Sequence, residues 1–211
     1  MGREYISVRA DSFIEPLVSL IEKATSYNLV GANEVQASPI ENGYSCSIIL
    51  LAVVMLEGLC TTMWYRYEKE NVKKFKANSF IKNKLKDIDP RTIDELFIIR
   101  DIIAHNHLWE GEIETKDRTL IHSKKPSIDT NNFGDRKYKE NVDLNLMKTK
   151  KLGLNIFTTR IYWNDVKIVL KTIITVIEKL EKKFNHVSLA SSDYIFFNGK
   201  EMKFTDLPNH I

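Results

Sequence analysis

From Tyr44 to Tyr65 the chain carries a single charged residue, Glu57. No other part of the sequence restricts the fold so strongly. A run of this length can cross a bilayer, for which about 20 apolar residues suffice. Ser45, Ser47, Thr61 and Thr62 speak against a membrane span, and Glu57 more so. A carboxylate near mid-span costs roughly 2.5–3.5 kcal/mol on the insertion scale. No second run of this kind exists. A helix apolar on all sides is also what the centre of a bundle requires. The stretch Tyr44 to Asn71 is therefore expected to be a buried central helix, with no membrane as partner.

Other helices follow from spacing. Residues 11 to 29 set Phe13, Ile14, Leu17, Val18, Leu20 and Ile21 at helical intervals, with Asp11 or Ser12 as cap. Gly31, Asn33, Pro39, Asn42 and Gly43 make residues 30 to 43 a loop. Asp89 and Pro90 mark a helix start, as cap and first helical residue, and that helix runs to about His105. Residues 161 to 185 return to strong helical spacing. Residues 110 to 160 are polar and mixed in charge. Fifty residues without clear periodicity are long for one connection, so this region is expected to be an irregular insertion or lid. In the extension 187–211, Asn198-Gly199 between apolar runs predicts a β-hairpin. The eight glycines never fall within ten positions of one another. That excludes glycine-rich phosphate loops and argues against a turn-rich all-β fold. The expected architecture is all-α: one antiparallel helical bundle over residues 1–211, with the insertion and the C-terminal hairpin.

Cys46 and Cys60 are the only cysteines. On one helix they sit about 21 Å apart, too far to pair. Reduced thiols, and an N-terminus (MGREYISVRADSF) without an apolar run, lead us to expect a cytoplasmic protein.

One stretch concentrates chemistry: Ile99-Arg100-Asp101-Ile102-Ile103-Ala104-His105-Asn106-His107. Asp101 and His105 are four apart and share a helix face. Arg100 and His105 are about 140° apart around the helix and flank Asp101. RNA cleavage without metal needs a base for the 2′-hydroxyl, an acid for the leaving 5′-oxygen and a cation for the phosphorane. A histidine can serve the first two roles and arginine the third. Asp101 can hold the imidazole in one tautomer. With one such histidine per chain, both proton transfers are easier if a symmetric dimer brings two copies together.

Arg100-Asp-Ile-Ile-Ala-His105 resembles the signature of HEPN-domain proteins, an arginine and a histidine separated by four to six residues with a polar residue after the arginine. The order of a long apolar helix with a mid-helix Glu57, the motif on a later helix and a final long helix is also similar. The resemblance covers about residues 11 to 110 and 161 to 185. It implies a dimeric helical bundle with the motif in a cleft at the interface. It also implies a metal-independent endoribonuclease without cofactor, leaving 2′,3′-cyclic phosphate ends. The role implied is that of a toxin or anti-phage abortive-infection effector, with an antitoxin protein as a further partner. On this reading Arg100, Asp101 and His105 are catalytic, and Glu57, Asn106 and His107 support them. The alternative is a non-catalytic helical dimer of the same type that binds RNA, a nucleotide or a protein.

Plainer readings stand beside these. A histidine at a helix C-terminus interacts with the dipole, and Arg100 can simply pair with Glu57 or Asp101. Glu57 either orients Arg100 or faces a wet interface. His105 and His107 lack the acidic or cysteine neighbours of a metal site, so no metal is expected. Between residues 69 and 86, seven lysines face only Glu70. Such a run is usually a solvated face. With Trp64 just before it, Lys73, Lys74 and Lys76 can instead track an RNA backbone while the ring stacks on a base.

Overall fold

A computed structural model describes residues 10–32, 36–68, 75–105, 110–114, 119–124 and 136–211. A 3-10 turn, Asp11–Phe13, leads into α1, Ile14–Thr25. Ile14, Leu17, Val18, Ile21 and Ala24 recur every three or four residues and all face the core. The expected cap is not used. Phe13 occupies the cap position without a side-chain bond, and Asp11 lies outside the helix.

The central helix α2, Pro39–Tyr67, is 29 residues long. It begins inside the stretch expected to be loop. Ser38 Oγ accepts a hydrogen bond from Glu41 N at 3.2 Å, and Pro39 fills the first turn, where a missing N–H costs nothing. That local start outweighs Asn42 and Gly43. Among the described residues α2 is the one helix long and apolar enough to cross a membrane. Here α1, α4 and α6 pack against it and bury 50% of its apolar window, with Ile49, Val53, Leu56 and Cys60 fully buried.

Three further helices complete the bundle: α3, Ala77–Lys84; α4, Pro90–His105; and α6, Trp163–Phe184, with the short α5, Arg136–Asn141, between the last two. Asp89 starts α4 as predicted, its Oδ1 accepting from Arg91 N at 3.0 Å. On α6 the buried row Val166, Val169, Leu170, Ile173, Ile174, Ile177 and Leu180 is the helical spacing read from the sequence.

The described residues of the region 110–160 form short hairpins, a short helix and turns rather than an irregular insertion. Strands β1, Glu110–Glu114, and β2, Thr119–Lys124, pair antiparallel with a bulge between Glu112 and Ile113. After α5, the two-residue strands β3, Val142–Asp143, and β4, Lys148–Thr149, form a second hairpin. Val142, Met147, Ile156 and Phe157 pack with Ile98 and Ile102 of α4 as a small core of their own. Buried Glu95 of α4 accepts from Lys151 N at 2.7 Å and Leu152 N at 2.6 Å, pinning the segment down. These contacts come from turns, which carry no period to read.

After the short α7, Leu189–Ser192, strands β5, Tyr194–Phe197, and β6, Lys200–Lys203, form the predicted C-terminal hairpin. Asn198 (φ 50°) and Gly199 (φ 74°) make its turn, the geometry that favours this residue pair. Asn198 N donates to Glu22 Oε1 of α1 at 2.7 Å. Ile195 and Phe197 point inward, while Tyr194 and Phe196 are exposed. The chain is thus a helical bundle with small antiparallel hairpins attached.

Candidate active site

Arg100 and Asp101 lie in the penultimate turn of α4, and His105 closes it. Ile98, Ile99 and Ile102 are buried, so the apolar face of α4 turns inward and carries Arg100 and Asp101 to its half-exposed flank. Glu57 comes from the middle of α2, 43 residues away in sequence. Arg100 Nη2 donates to Glu57 Oε1 at 3.0 Å. Arg100 Nε lies 3.1 Å from Asp101 Oδ1 as an ion pair, without the alignment of a hydrogen bond. The guanidinium also rests over the Phe97 ring, 5.7 Å from its centroid. Arginine is therefore held by a carboxylate on each side and an aromatic face beneath, with 28% of its side chain exposed. This settles Glu57 as a direct partner of Arg100.

Sequence reasoning missed Lys137 on α5. Its ammonium sits 5.7 Å from the same Phe97 ring, so one ring carries two cations. Only the fold of the 136–161 segment brings it there, and no spacing in the sequence signals it. Burial pushes the Glu57 carboxyl up from its ordinary value; Arg100 pulls it back, Asp101 raises it and Lys137 lowers it. Two carboxylates thus outweigh Arg100, and Lys137 restores neutrality when both are ionised. His105 is exposed and adds a positive charge only when protonated.

The other expected site residues divide. Asn106, His107, Lys73 and Lys74 lie outside the described residues. Lys76 is exposed just before α3. Trp64 does not offer a face to a base: it is 7% exposed, and its ring lies 5.1 Å from that of Phe75. It belongs to the core, because the buried side of α2 continues to its last turn. The two thiols are free, and burial pushes the half-buried Cys46 up to about 12. Among the described residues no group of three or more His, Cys, Asp or Glu could hold a metal ion.

An apolar groove of about 370 Å³ runs between α1, α2 and α4, lined by Leu20, Cys46, Ser47, Leu50, Leu51, Val54 and Ile103. Val54 precedes Glu57 by one turn of α2, and Ile103 follows Arg100 by one turn of α4. No protein-family model, curated protein or solved structure matches this chain.

Proposed function

We propose that the chain is a metal-independent endoribonuclease of HEPN type, acting as a homodimer in the cytoplasm. The observation that carries this reading is the pre-set arginine. Arg100 is fixed by Glu57 and Asp101 on the same helix end that carries the exposed His105. A guanidinium has five N–H donors, and Glu57 engages one, so others remain for a phosphate. In this mechanism one His105 takes the proton from the 2′-hydroxyl as that oxygen attacks phosphorus. The 5′-oxygen leaves with a proton from the His105 of the second copy, giving a 2′,3′-cyclic phosphate and a 5′-hydroxyl. Arg100 stabilises the phosphorane charge. The apolar groove between α1, α2 and α4 is the surface a second copy would cover, which brings two motifs to one cleft. The biological role that fits is a toxin or anti-phage effector restrained by an antitoxin protein.

The test is cleavage of RNAs of varied sequence in excess EDTA. Wild type should yield cyclic-phosphate ends, and His105→Ala should reduce the rate by at least about a hundredfold, as expected for loss of general acid–base catalysis. Equal cleavage by both proteins, or none by either, refutes the reading.

One observation favours a second reading. Arg100 is already held by two carboxylates, which suits a fixed structural cation better than one free to follow the charge on a phosphorane. A helical dimer that binds RNA, a nucleotide or a protein would then retain RNA or partner without cleaving it. A gel shift by intact RNA that His105→Ala leaves unchanged, with no product, decides for it.

A further inference from the structure

Arg100 stands at one end of a larger basic surface. The α5–β3–β4 segment, residues 136–151, carries six cationic side chains against two carboxylates, Glu140 and Asp143. That balance of +4 exceeds the +3 of the whole chain. The cations are displayed to solvent: Arg136, Lys139, Lys150 and Lys151 are all exposed. Packing fixes the segment that carries them. Its Val142 and Met147 share a small core with Ile98 and Ile102 of α4, and Glu95 holds the main chain at Lys151 and Leu152.

The positive charges are little compensated. Arg136 pairs with Glu140 at 2.6 Å, but both side chains are exposed and water screens the pair. Lys150 Nζ donates to the carbonyls of Lys139 and Glu140 at 3.4 and 2.9 Å, neutral groups that fix its position and leave its charge in place. Arg136 lies three residues before Lys139 on α5, so Arg136, Lys139 and Lys150 form one patch. Two further cations tie that patch to α4. Lys137 sits 5.7 Å from the Phe97 ring that Arg100 also overlies. Lys151 lies 3.4 Å from Asp89 Oδ2, at the other end of the helix. From Asp89 to Arg100 α4 rises about 16 Å, room for several phosphates rather than one. In the lysine run before α4, by contrast, Lys82 and Lys84 are taken up by Asp94 and Glu68.

On the reading that RNA is the substrate, the geometry points to this segment as the arm that holds an RNA strand by its phosphates along α4 and leads it to Arg100. The Arg100 cluster pairs its cations with Glu57 and Asp101, so it adds little long-range attraction for a polyanion. The arm supplies that attraction, which draws RNA in without regard to sequence. Leu144 and Leu146, exposed at the β3–β4 turn, are what a bilayer would engage instead. Lys137 and Lys151 reach α4, however, and line the route to Arg100.

Fluorescence anisotropy of the full chain with a labelled 2′-O-methyl oligoribonucleotide of mixed sequence tests this. The probe keeps the phosphates but lacks the 2′-hydroxyl, so cleavage cannot consume it. Wild type should bind with an affinity that falls steeply as salt rises. The double variant Arg136→Gln/Lys139→Gln should bind about tenfold or more weakly at low salt, with a salt slope shallower by about 1.4, or about 0.7 per cation removed. Lys167→Gln/Lys171→Gln takes the same charge from the exposed face of α6 and should leave binding nearly unchanged. All four positions are exposed, so both variants should melt with wild type. No binding by wild type, equal binding by the arm variant, or an equal loss in the α6 variant each overturns the arm. So does a preference for phosphatidylserine vesicles over the oligonucleotide that Leu146→Ser abolishes. A chain that cleaves RNA yet binds it equally with and without the arm cations loses the arm and keeps the ribonuclease reading. Binding that depends on the arm, without cleavage, does the reverse.

Discussion

Glu41 and Glu57 are both carboxylates of α2, and the fold treats them in opposite ways. Glu41 is 1% exposed and accepts from three backbone N–H groups: Val30 and Gly31 at 3.1 Å, and Trp163 at 3.2 Å. Asn42 beside it donates to the carbonyls of Thr158 and Ile161 at 2.7 and 2.8 Å. Asp165 repeats the pattern at the start of α6, accepting from Asn155 N and Tyr162 N. At that end of α2 the charges are saturated by main chain, and the first residues of α6 are fixed to it. Glu57 is half-buried and its described partner is a side chain, Arg100, which is itself shared with Asp101. Main-chain donors cannot rotate away, whereas a guanidinium can exchange one oxyanion for another. The first arrangement builds the fold, and the second leaves a cation that a ligand can recruit.

The sharpest way to break this contrast is Glu41→Ala, which takes the carboxylate from three N–H groups, that of Trp163 buried and those of Val30 and Gly31 partly so. We expect about 4 kcal/mol of lost stability in urea unfolding, since each unmet donor costs about 1–3 kcal/mol and water can repay part. A loss below about 1 kcal/mol would show that Glu41 is no more structural than Glu57. Next is Ile156→Ala, in the small core that joins the 136–161 segment to α4. A fully buried isoleucine in a packed core predicts about 3 kcal/mol. A loosely attached lid predicts almost none, and would remove Lys137 from the Arg100 cluster.

The smallest effect belongs to Glu57→Gln, within about 1 kcal/mol at neutral pH because the pair is partly exposed. Its signature lies in pH instead. Burial raises the Glu57 carboxyl above its ordinary 4.5, so folding favours the protonated form. That contribution is complete below the ordinary value and fades as pH climbs through the raised one. Wild type should therefore lose stability relative to Glu57→Gln over that window, as urea midpoints measured at successive pH values would show. Parallel curves would mean that Arg100 fully compensates the buried charge.

Much of this architecture could be read from local signals. Asp89-Pro90, the row along α6 and Asn198-Gly199 each decide structure within a few residues, and each stands where the sequence placed it. The motif on α4 was legible for the same reason. What escaped was set by distant partners or by masking. Ser38-Pro39 was hidden by the Asn42-Gly43 pair that follows, and Asn42 turned out to be a half-buried donor to Thr158 and Ile161, in the turn that leads into α6, rather than a turn residue. Trp64 ends an apolar helix with no polar face to mark its buried side, so its burial depends on Phe75 of another segment. Glu95 and Lys137 have roles only through a region whose inward residues lack a period. The pairing of Arg100 with Glu57 was one of two open alternatives, because sequence spacing does not tell which side of α2 meets α4.

The bond from Trp163 N to Glu41 spans 122 residues. During synthesis the ribosome therefore releases α1 and α2 long before Glu41 can acquire its third donor. At about 5–20 residues per second the wait is roughly 6–24 s. For about the first half of that interval α2 lacks α4 and throughout it lacks α6, and Glu41 stands at its head still short of a donor. A nascent chain in that state is a client for whatever shields apolar surface in the cell, and completion of α6 is the event that releases it.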